Sequence, residues 1–127
     1  MRQLLIAAAL AVATAACAPL PTTVEVTLKH SRFAPATIDV PVGVPVTFVM
    51  RNLDPIDHEW IIGAPDLHAR HRTGTEPVHD TVPTEVTVPA LETRTTTVTF
   101  ERPGLLAVIC HLPRHEEYGM VGAVRVR

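Results

Sequence analysis

Residues 44–52 read VPVTFVMRN, and Val46, Phe48 and Met50 occupy every second position. Successive side chains of an extended chain point to opposite faces, so these three share one face. That face can be buried while the intervening residues lie on the other side of the strand. The stretch therefore predicts a β-strand, and the same period of two recurs on both sides of it.

Upstream of this strand, TVEVTLKH (23–30) and ATIDVPVG (36–43) have β character. Downstream lie HEWIIG (58–63), TEVTVPA (84–90), TRTTTVTFERPG (93–104), LLAVIC (105–110) and MVGAVRVR (120–127). Pro, Gly, Asn and Asp separate the runs, as in turns between short strands. We therefore predict an all-β fold, an antiparallel Greek-key β-sandwich of about eight strands. Residues 64–83 lack alternation and are long for a connection, so we expect one short helical turn there.

The composition limits the number of domains and the class of partner. A chain of 127 residues is about the size of one domain. The formal net charge is −2 and both signs are interspersed, so no basic surface for nucleic acid is indicated. We expect a monomer that does not bind DNA or RNA.

The N-terminus has the pattern of an export signal. Arg2 precedes an apolar run that is too short to span a bilayer comfortably, which indicates a signal peptide over 1–16. The TAAC that ends at Cys17 resembles a bacterial lipobox, although Thr14 stands where Leu is usual. We predict a lipidated Cys17, a tether over 17–22, a domain over 23–127 and a periplasmic or cell-surface location. The alternative is cleavage after an Ala-x-Ala site, which would remove the cysteine.

Either outcome leaves Cys110 without a disulfide partner, because the chain has two cysteines and Cys17 belongs to the signal region. A lone thiol in an oxidising compartment is a liability unless its sulfur is occupied. A metal ion would occupy it.

The stretch CHLPRHEEYGM (110–120) places Cys110, His115 and Met120 at intervals of five. A thiolate, two imidazoles and a thioether form a soft set of ligands that suits copper. Pro113 and Gly119 favour a turn that would bring the three side chains to one end of a sandwich. The best candidate for the second imidazole is His58, at a junction between a loop and a strand.

These motifs make the chain resemble the cupredoxins, the single-domain blue-copper proteins of the plastocyanin and azurin type. The likeness includes the Cys-x4-His-x4-Met spacing, the run FAPATIDVPVGVPVTFVMRN (33–52) and the final VGAVRV. It implies one type 1 copper ion with His58, Cys110, His115 and Met120 as ligands. The ligand loop is also similar to the last domain of multicopper oxidases, but no His-x-His pair is present, so a trinuclear cluster is excluded.

The resemblance implies a carrier of single electrons between redox protein partners. Four protein ligands leave no open position for a substrate, so we expect no enzymatic activity. Two alternatives stay open at this point. One is a protein that stores or delivers copper, and the other is a subunit that feeds electrons into a separate oxidoreductase.

Two residues depart from the family pattern, since Glu59 replaces a common Asn and Arg114 replaces a common Gly. The remaining histidines have less definite roles. Alternation places His111 on the opposite side of the strand end from Cys110, and we expect it to be structural or exposed. His68, His71 and His79 are expected in a solvated loop, with a second, weaker metal site near His68, His71 and Glu76 as the alternative. Trp60 shares the face of His58 and lies either against the site or in the core.

Overall fold

The computed structural model describes residues 22–74, 79 and 81–127. The predicted signal peptide, and the tether apart from Thr22, lie outside these residues. No helix within the described residues is long and apolar enough to cross a membrane. The strands are β1 (Thr22–Leu28), β2 (Phe33–Ala34), β3 (Thr37–Val40), β4 (Pro45–Asn52), β5 (His58–Gly63), β6 (Glu85–Val88), β7 (Thr93–Thr99), β8 (Gly104–Ile109) and β9 (Val121–Val126), and the helix is α1 (Pro65–Thr73).

The strands form two sheets with the orders β2-β1-β4-β7 and β3-β9-β8-β5-β6. This confirms the predicted β-sandwich, and each predicted run contains one strand. The sheets are mixed, however, because β1 pairs with β4 and β3 pairs with β9 in parallel. After β2 the chain crosses to the second sheet for β3 and then returns for β4, so β4 lies beside β1 in the same direction. Strand β2 was not predicted, since two residues are too few to show a period.

The core lies between the two sheets. Val46, Phe48 and Met50 are each 0% exposed, as their alternation predicts. The Trp60 ring packs edge-on against Phe33, with ring centroids 5.2 Å apart, and it also contacts Phe48. Full burial of a large apolar side chain contributes about 1.5–3 kcal/mol to folding. Trp60 is therefore a core residue.

Helix α1 lies within the segment where the sequence predicts one short helical turn. Pro65 occupies its first turn, and Gly74 ends it in the left-handed conformation with φ 70°. The helix covers the outer face of β5, all six residues of which are buried. A Cβ on Gly63 would lie 2.8 Å from the Leu67 side chain, so the glycine permits this close approach. The helix is longer than the single turn that the sequence predicts. Its buried residues are His68 and His71, which form no apolar stripe that would indicate a helix.

A carboxylate joins two loops at one end of the sandwich. The backbone N–H groups of His30 and Ser31 donate to Asp54 Oδ1 and Oδ2 at 2.7 and 2.9 Å. Both donors have positive φ, 53° and 51°, a conformation that is costly for residues other than glycine. Burial opposes ionisation of Asp54, but these donors and His58 outweigh it and lower the pKa of the carboxyl. Asp54 therefore holds the turn between β1 and β2 against the loop before β5.

Gly122 marks a close approach between β9 and the chain before β3. A Cβ at this position would lie 2.6 Å from the backbone oxygen of Ala36. We predict that Gly122→Ala lowers the free energy of unfolding by about 1–3 kcal/mol, because the backbone must move to relieve the overlap. Chemical denaturation measures the change.

Gly104→Ala is the matched control, since a Cβ there meets nothing within 4 Å. We expect it to change the free energy of unfolding by less than about 0.5 kcal/mol. Equal effects of the two substitutions would show that the contact with Ala36 is not responsible.

Candidate metal centre

The centre is built at the end of the sandwich where β5 begins and β8 ends. The two strands pair antiparallel, with Ile62 opposite Val108. Alternation from this register places His58, Trp60 and Ile62 on the face toward the other sheet. Cys110, the residue after β8, lies in the same buried cluster as Trp60. The pairing therefore brings the predicted ligands His58 and Cys110 to the same end and the same face of one sheet.

His115 joins these two residues from the loop between β8 and β9. Its Nδ1 atom lies 3.3 Å from His58 Nδ1 and 3.2 Å from Cys110 Sγ. In the described part of the chain, this is the one group of three such residues whose ligand atoms all lie within 4.8 Å of one another. Two ligands of one ion at about 2.0–2.3 Å are themselves about 3–4 Å apart. The three side chains therefore fit a single metal ion.

The orientation of His58 is fixed by Asp54. The Nε2 atom of His58 lies 2.8 Å from Asp54 Oδ2, and the His58 side chain is 0% exposed. Because a carboxylate accepts the proton on Nε2, the lone pair of the neutral ring is on Nδ1, which faces Cys110 and His115. A carboxylate behind an imidazole is a common support for a metal ligand. Sequence reasoning missed Asp54, although its position four residues before His58 was the available signal.

The Cys110 sulfur is buried and has polar neighbours. The backbone N–H of Glu59 donates to Sγ at 3.3 Å. Burial raises the pKa of the thiol to about 11, although the N–H groups of Glu59 and Leu112 act in the opposite direction. Burial and the neighbouring His58 lower the pKa of His115. Neutral imidazoles can bind a metal, and a cation beside the sulfur would favour the thiolate.

Met120 is held beside the other predicted ligands by the backbone. Its N–H donates to the His115 carbonyl at 2.9 Å, and its carbonyl accepts from the N–H of Cys110 at 3.3 Å. The residue is 0% exposed. The structure thus brings the ligand atoms of His58, Cys110 and His115 together. The backbone of Met120 is hydrogen-bonded to the backbones of Cys110 and His115.

The two departures from the family pattern have structural explanations. Glu59 Oε2 accepts the backbone N–H of His111 at 3.0 Å, so this side chain ties β5 to the residue after Cys110. Arg114 has φ 70°, the left-handed conformation for which glycine is favoured. Its guanidinium lies 5.2 Å from the centroid of the Tyr118 ring. Arg114 therefore adopts the backbone conformation that a glycine would take without strain.

Three further histidines, His68, His71 and His111, have buried side chains. His111 points away from Cys110, as alternation predicts, but its side chain is only 5% exposed. His68 and His71 are buried on α1, which corrects the expectation of a solvated loop. His68 Nδ1 lies 2.9 Å from His111 Nε2, across 43 residues of sequence. No local pattern could predict this contact, because it depends on how α1 packs on the sheet. Glu76 lies outside the described residues.

Two comparisons concern the sequence as a whole. A family model described as a cupredoxin-like domain matches residues 2–121. The copper-resistant cuproprotein CopI of Rubrivivax gelatinosus is 35% identical over 109 residues, which cover 83% of this chain and 66% of that protein. The chain thus spans slightly less than two thirds of the length of this relative.

Solved structures of auracyanins share the fold. Auracyanin B has a TM-score of 0.70 and 25% identity, over 84% of this chain and 88% of that one. The dithionite-reduced auracyanin of Roseiflexus castenholzii has a TM-score of 0.71 and 21% identity, over 84% and 97%. Auracyanin A, described as a blue copper protein of Chloroflexus aurantiacus, has a TM-score of 0.69 and 23% identity, over 84% and 99%. Because the family model matches residues 2–121 and the β-sandwich is shared with these structures, this chain belongs to the cupredoxin family.

Proposed function

We propose that this protein binds one copper ion of type 1 through His58, Cys110, His115 and Met120, and that it carries single electrons between redox proteins. The observation that carries the proposal is the position of the buried Cys110 sulfur beside two imidazoles. Cys110 Sγ lies 3.2 Å from His115 Nδ1, and His58 belongs to the same group of ligand atoms. Thiolate, imidazole and a weak thioether are the ligands of blue-copper sites. The family membership of the chain supports the same reading.

The surroundings of the site suit electron transfer better than catalysis. When bound, copper supplies a one-electron couple. His58 and Cys110 are both 0% exposed and are held by Asp54 and by the Glu59 N–H. Such fixed ligands change little between two oxidation states, and they leave no wide opening for a substrate. We therefore infer a carrier rather than an enzyme.

His115 is the ligand through which we expect exchange with partners. It is half-buried, whereas the other ligands are buried. The loop around it exposes Arg114, Glu117 and Tyr118, while Glu116 forms an ion pair with Arg72 of α1. The charge of Glu116 is therefore largely compensated. If a redox protein docks at this loop, electrons would pass between it and the copper through His115, the shortest covalent path from the copper to the surface.

We also propose that the protein is exported and is anchored to a membrane through a lipidated Cys17. The support comes from the apolar run and the TAAC motif near the N-terminus. More than one acyl chain gives stable anchoring, whereas a single chain binds a bilayer only marginally. An anchored carrier would exchange electrons outside the cytoplasm.

A role in copper handling is the second candidate, because the curated relative is named as a copper-resistant cuproprotein. In that role the ion would be stored or passed to another protein. Exposure of the copper-loaded protein to a Cu(I) chelator during repeated reduction and reoxidation separates the two functions. A carrier keeps its copper, whereas a delivery protein loses it on reduction.

The copper-loaded protein is expected to show intense visible absorption that bleaches on reduction, because a cysteine thiolate bound to Cu(II) gives a strong charge-transfer band. Cys110→Ser should abolish this band completely. Optical and EPR spectra measure both effects. His30→Asn is the control, because the His30 side chain is exposed and asparagine keeps the backbone N–H that His30 donates to Asp54. Weak absorption from the loaded wild-type protein, typical of nitrogen and oxygen ligands, would contradict the assignment.

Met120→Leu should preserve the visible band and raise the midpoint potential, because the thioether is a weak ligand that tunes the copper. Leucine is nearly isosteric, so the buried position should tolerate it at a cost below about 1.5 kcal/mol. Spectroelectrochemistry gives the potential. The matched control is Met50→Leu, a buried methionine of β4, which should leave the potential unchanged. Equal potentials for wild type and Met120→Leu would remove Met120 from the ligand set.

Mass spectrometry of the protein purified from membranes tests the anchor. We expect an N-terminus at Cys17 that carries acyl chains, and Cys17→Ser should release the protein into the soluble fraction. None of the proposed copper ligands lies within 40 residues of position 17 in the sequence, so this variant should keep its visible band. An unmodified N-terminus beyond residue 17 would show instead that the cysteine is removed.

A further inference from the structure

A second set of imidazoles lies on the opposite face of the sheet from the candidate metal centre. We name it the outer-face cluster, and it consists of His68, His71, His79 and His111. Glu59 and His111 directly follow His58 and Cys110 in sequence, so alternation turns them outward. The helix brings His68 and His71 against this face, where both are buried. The two sets of side chains are thus back to back across β5 and β8.

The ring spacing in the cluster matches that of the candidate ligands. The ring centroids of His58 and His115 are 5.1 Å apart in the candidate metal centre. In the outer-face cluster the corresponding distances are 5.1 Å for His71 and His79 and 5.2 Å for His71 and His111. The His71–His79 and His71–His111 ring spacings are therefore about the same as the spacing of the two imidazoles in the candidate metal centre.

His71 presents a buried nitrogen that lacks a hydrogen-bond partner. Its Nδ1 lies 3.0 Å from the Leu67 carbonyl, which can only accept, so the proton of the neutral ring is on Nδ1. The Nε2 atom therefore has a lone pair, and it is buried without a hydrogen bond. A Glu85 carboxylate oxygen is 3.7 Å away, and the two side chains are 2% and 8% exposed. The His71 lone pair and the Glu85 carboxylate thus face each other as two acceptors with no proton between them. A cation bound nearby would reduce the repulsion between them.

The same reasoning applies to His111. His68 Nε2 lies 3.3 Å from the Ala107 carbonyl and donates to it, so His68 Nδ1 must accept. The donor to that atom is His111 Nε2, at 2.9 Å. His111 Nδ1 is then left with a lone pair, and a Glu116 oxygen lies 3.8 Å from it. His68 thus orients His111 in the way that Asp54 orients His58.

A cavity of about 120 Å³ lies between these groups and is lined by Glu59, His71, Gly74, His79 and His111. Glu59 Oε1 is 3.3 Å from His79 Nδ1, which is also buried without a hydrogen bond. The share of liquid volume that one water occupies is about 30 Å³, so the cavity has room for an ion. Three imidazoles and one carboxylate are common ligands of divalent transition metals.

We propose that this cavity is a second metal site, at which His71, His79, His111 and Glu59 bind a divalent transition ion such as Zn²⁺. His68 is a positioning residue that holds the His111 ring. In the described part of the chain, the histidines, cysteines and carboxylates whose ligand atoms all lie within 4.8 Å of one another are His58, Cys110 and His115, and the outer-face cluster contains no such group. Rings of the outer-face cluster must therefore turn on binding, and we expect the second site to be weaker than the first.

The test is a Zn²⁺ titration of the full chain after one equivalent of copper has been added. Elemental analysis after dialysis counts both ions, so the result does not depend on the type or redox role of the copper. We expect one further ion per chain in wild type and in His30→Asn, the exposed-histidine control. The double variant His71→Asn/His79→Asn should bind Zn²⁺ at this site about 100-fold more weakly, and His68→Asn about 10-fold more weakly.

Histidine ¹⁵N NMR of the wild-type protein provides a second readout that needs no variant to fold. Zn²⁺ added after the copper should shift the ring nitrogens of His71, His79 and His111 and leave those of His30 unchanged. Binding of no further ion, or shifts confined to His30, would overturn the proposal. So would retention of wild-type affinity by a folded double variant, with folding checked by circular dichroism.

Discussion

The pairing of β5 with β8 is the constraint on which both groups of polar side chains depend. The register places Ile61 opposite Ile109, and both are buried on the outer face, outside the cluster that fills the space between the sheets. Because side chains alternate along the strands, the residues that follow His58 and Cys110 point away from these two candidate ligands. One register therefore fixes His58 with Cys110 on the inner face and Glu59 with His111 on the outer face.

A strand that is buried on both faces needs cover on each side. The other sheet covers the inner face with aromatic and aliphatic side chains, and α1 covers the outer face with Leu67 and two histidines. Buried polar groups are costly unless they have partners. In the outer-face cluster some imidazole nitrogens have carbonyl partners, whereas His71 Nε2 and His79 Nδ1 have no hydrogen bond. These buried nitrogens without hydrogen-bond partners are the basis for proposing that the outer-face cluster binds an ion.

The candidate metal centre and the outer-face cluster share structural supports. Glu59 donates its backbone N–H to Cys110 Sγ, and its side chain accepts from the His111 N–H beside the cavity of the outer-face cluster. Arg72 of α1 binds Glu116 in the loop that contains His115. Ion pairs at the surface contribute about 0–1 kcal/mol, so this contact mainly sets geometry. The Arg72–Glu116 contact therefore links the position of α1 to the loop that contains the candidate ligand His115.

Local sequence patterns predicted the strands and the candidate ligands of the first centre. Alternation is a local property, so Val46, Phe48 and Met50 were enough to predict a strand and its buried face. The spacing of Cys110, His115 and Met120 was equally informative, since a single loop carries all three. The position of His58 between a loop and a strand made it the best candidate for the second imidazole, and the family resemblance implied the same residue. The structure places it beside Cys110 and His115.

The tertiary structure alone decided what lies behind those ligands. Asp54 supports His58 only because the loop before β5 folds onto the turn at His30 and Ser31. The parallel pairing of β1 with β4 follows from a chain that changes sheets, which no local period encodes. His68 and His111 are 43 residues apart and meet through the packing of a helix with no apolar stripe. Contacts of this kind depend on long-range packing, whereas a sequence pattern reports only on neighbours along the chain.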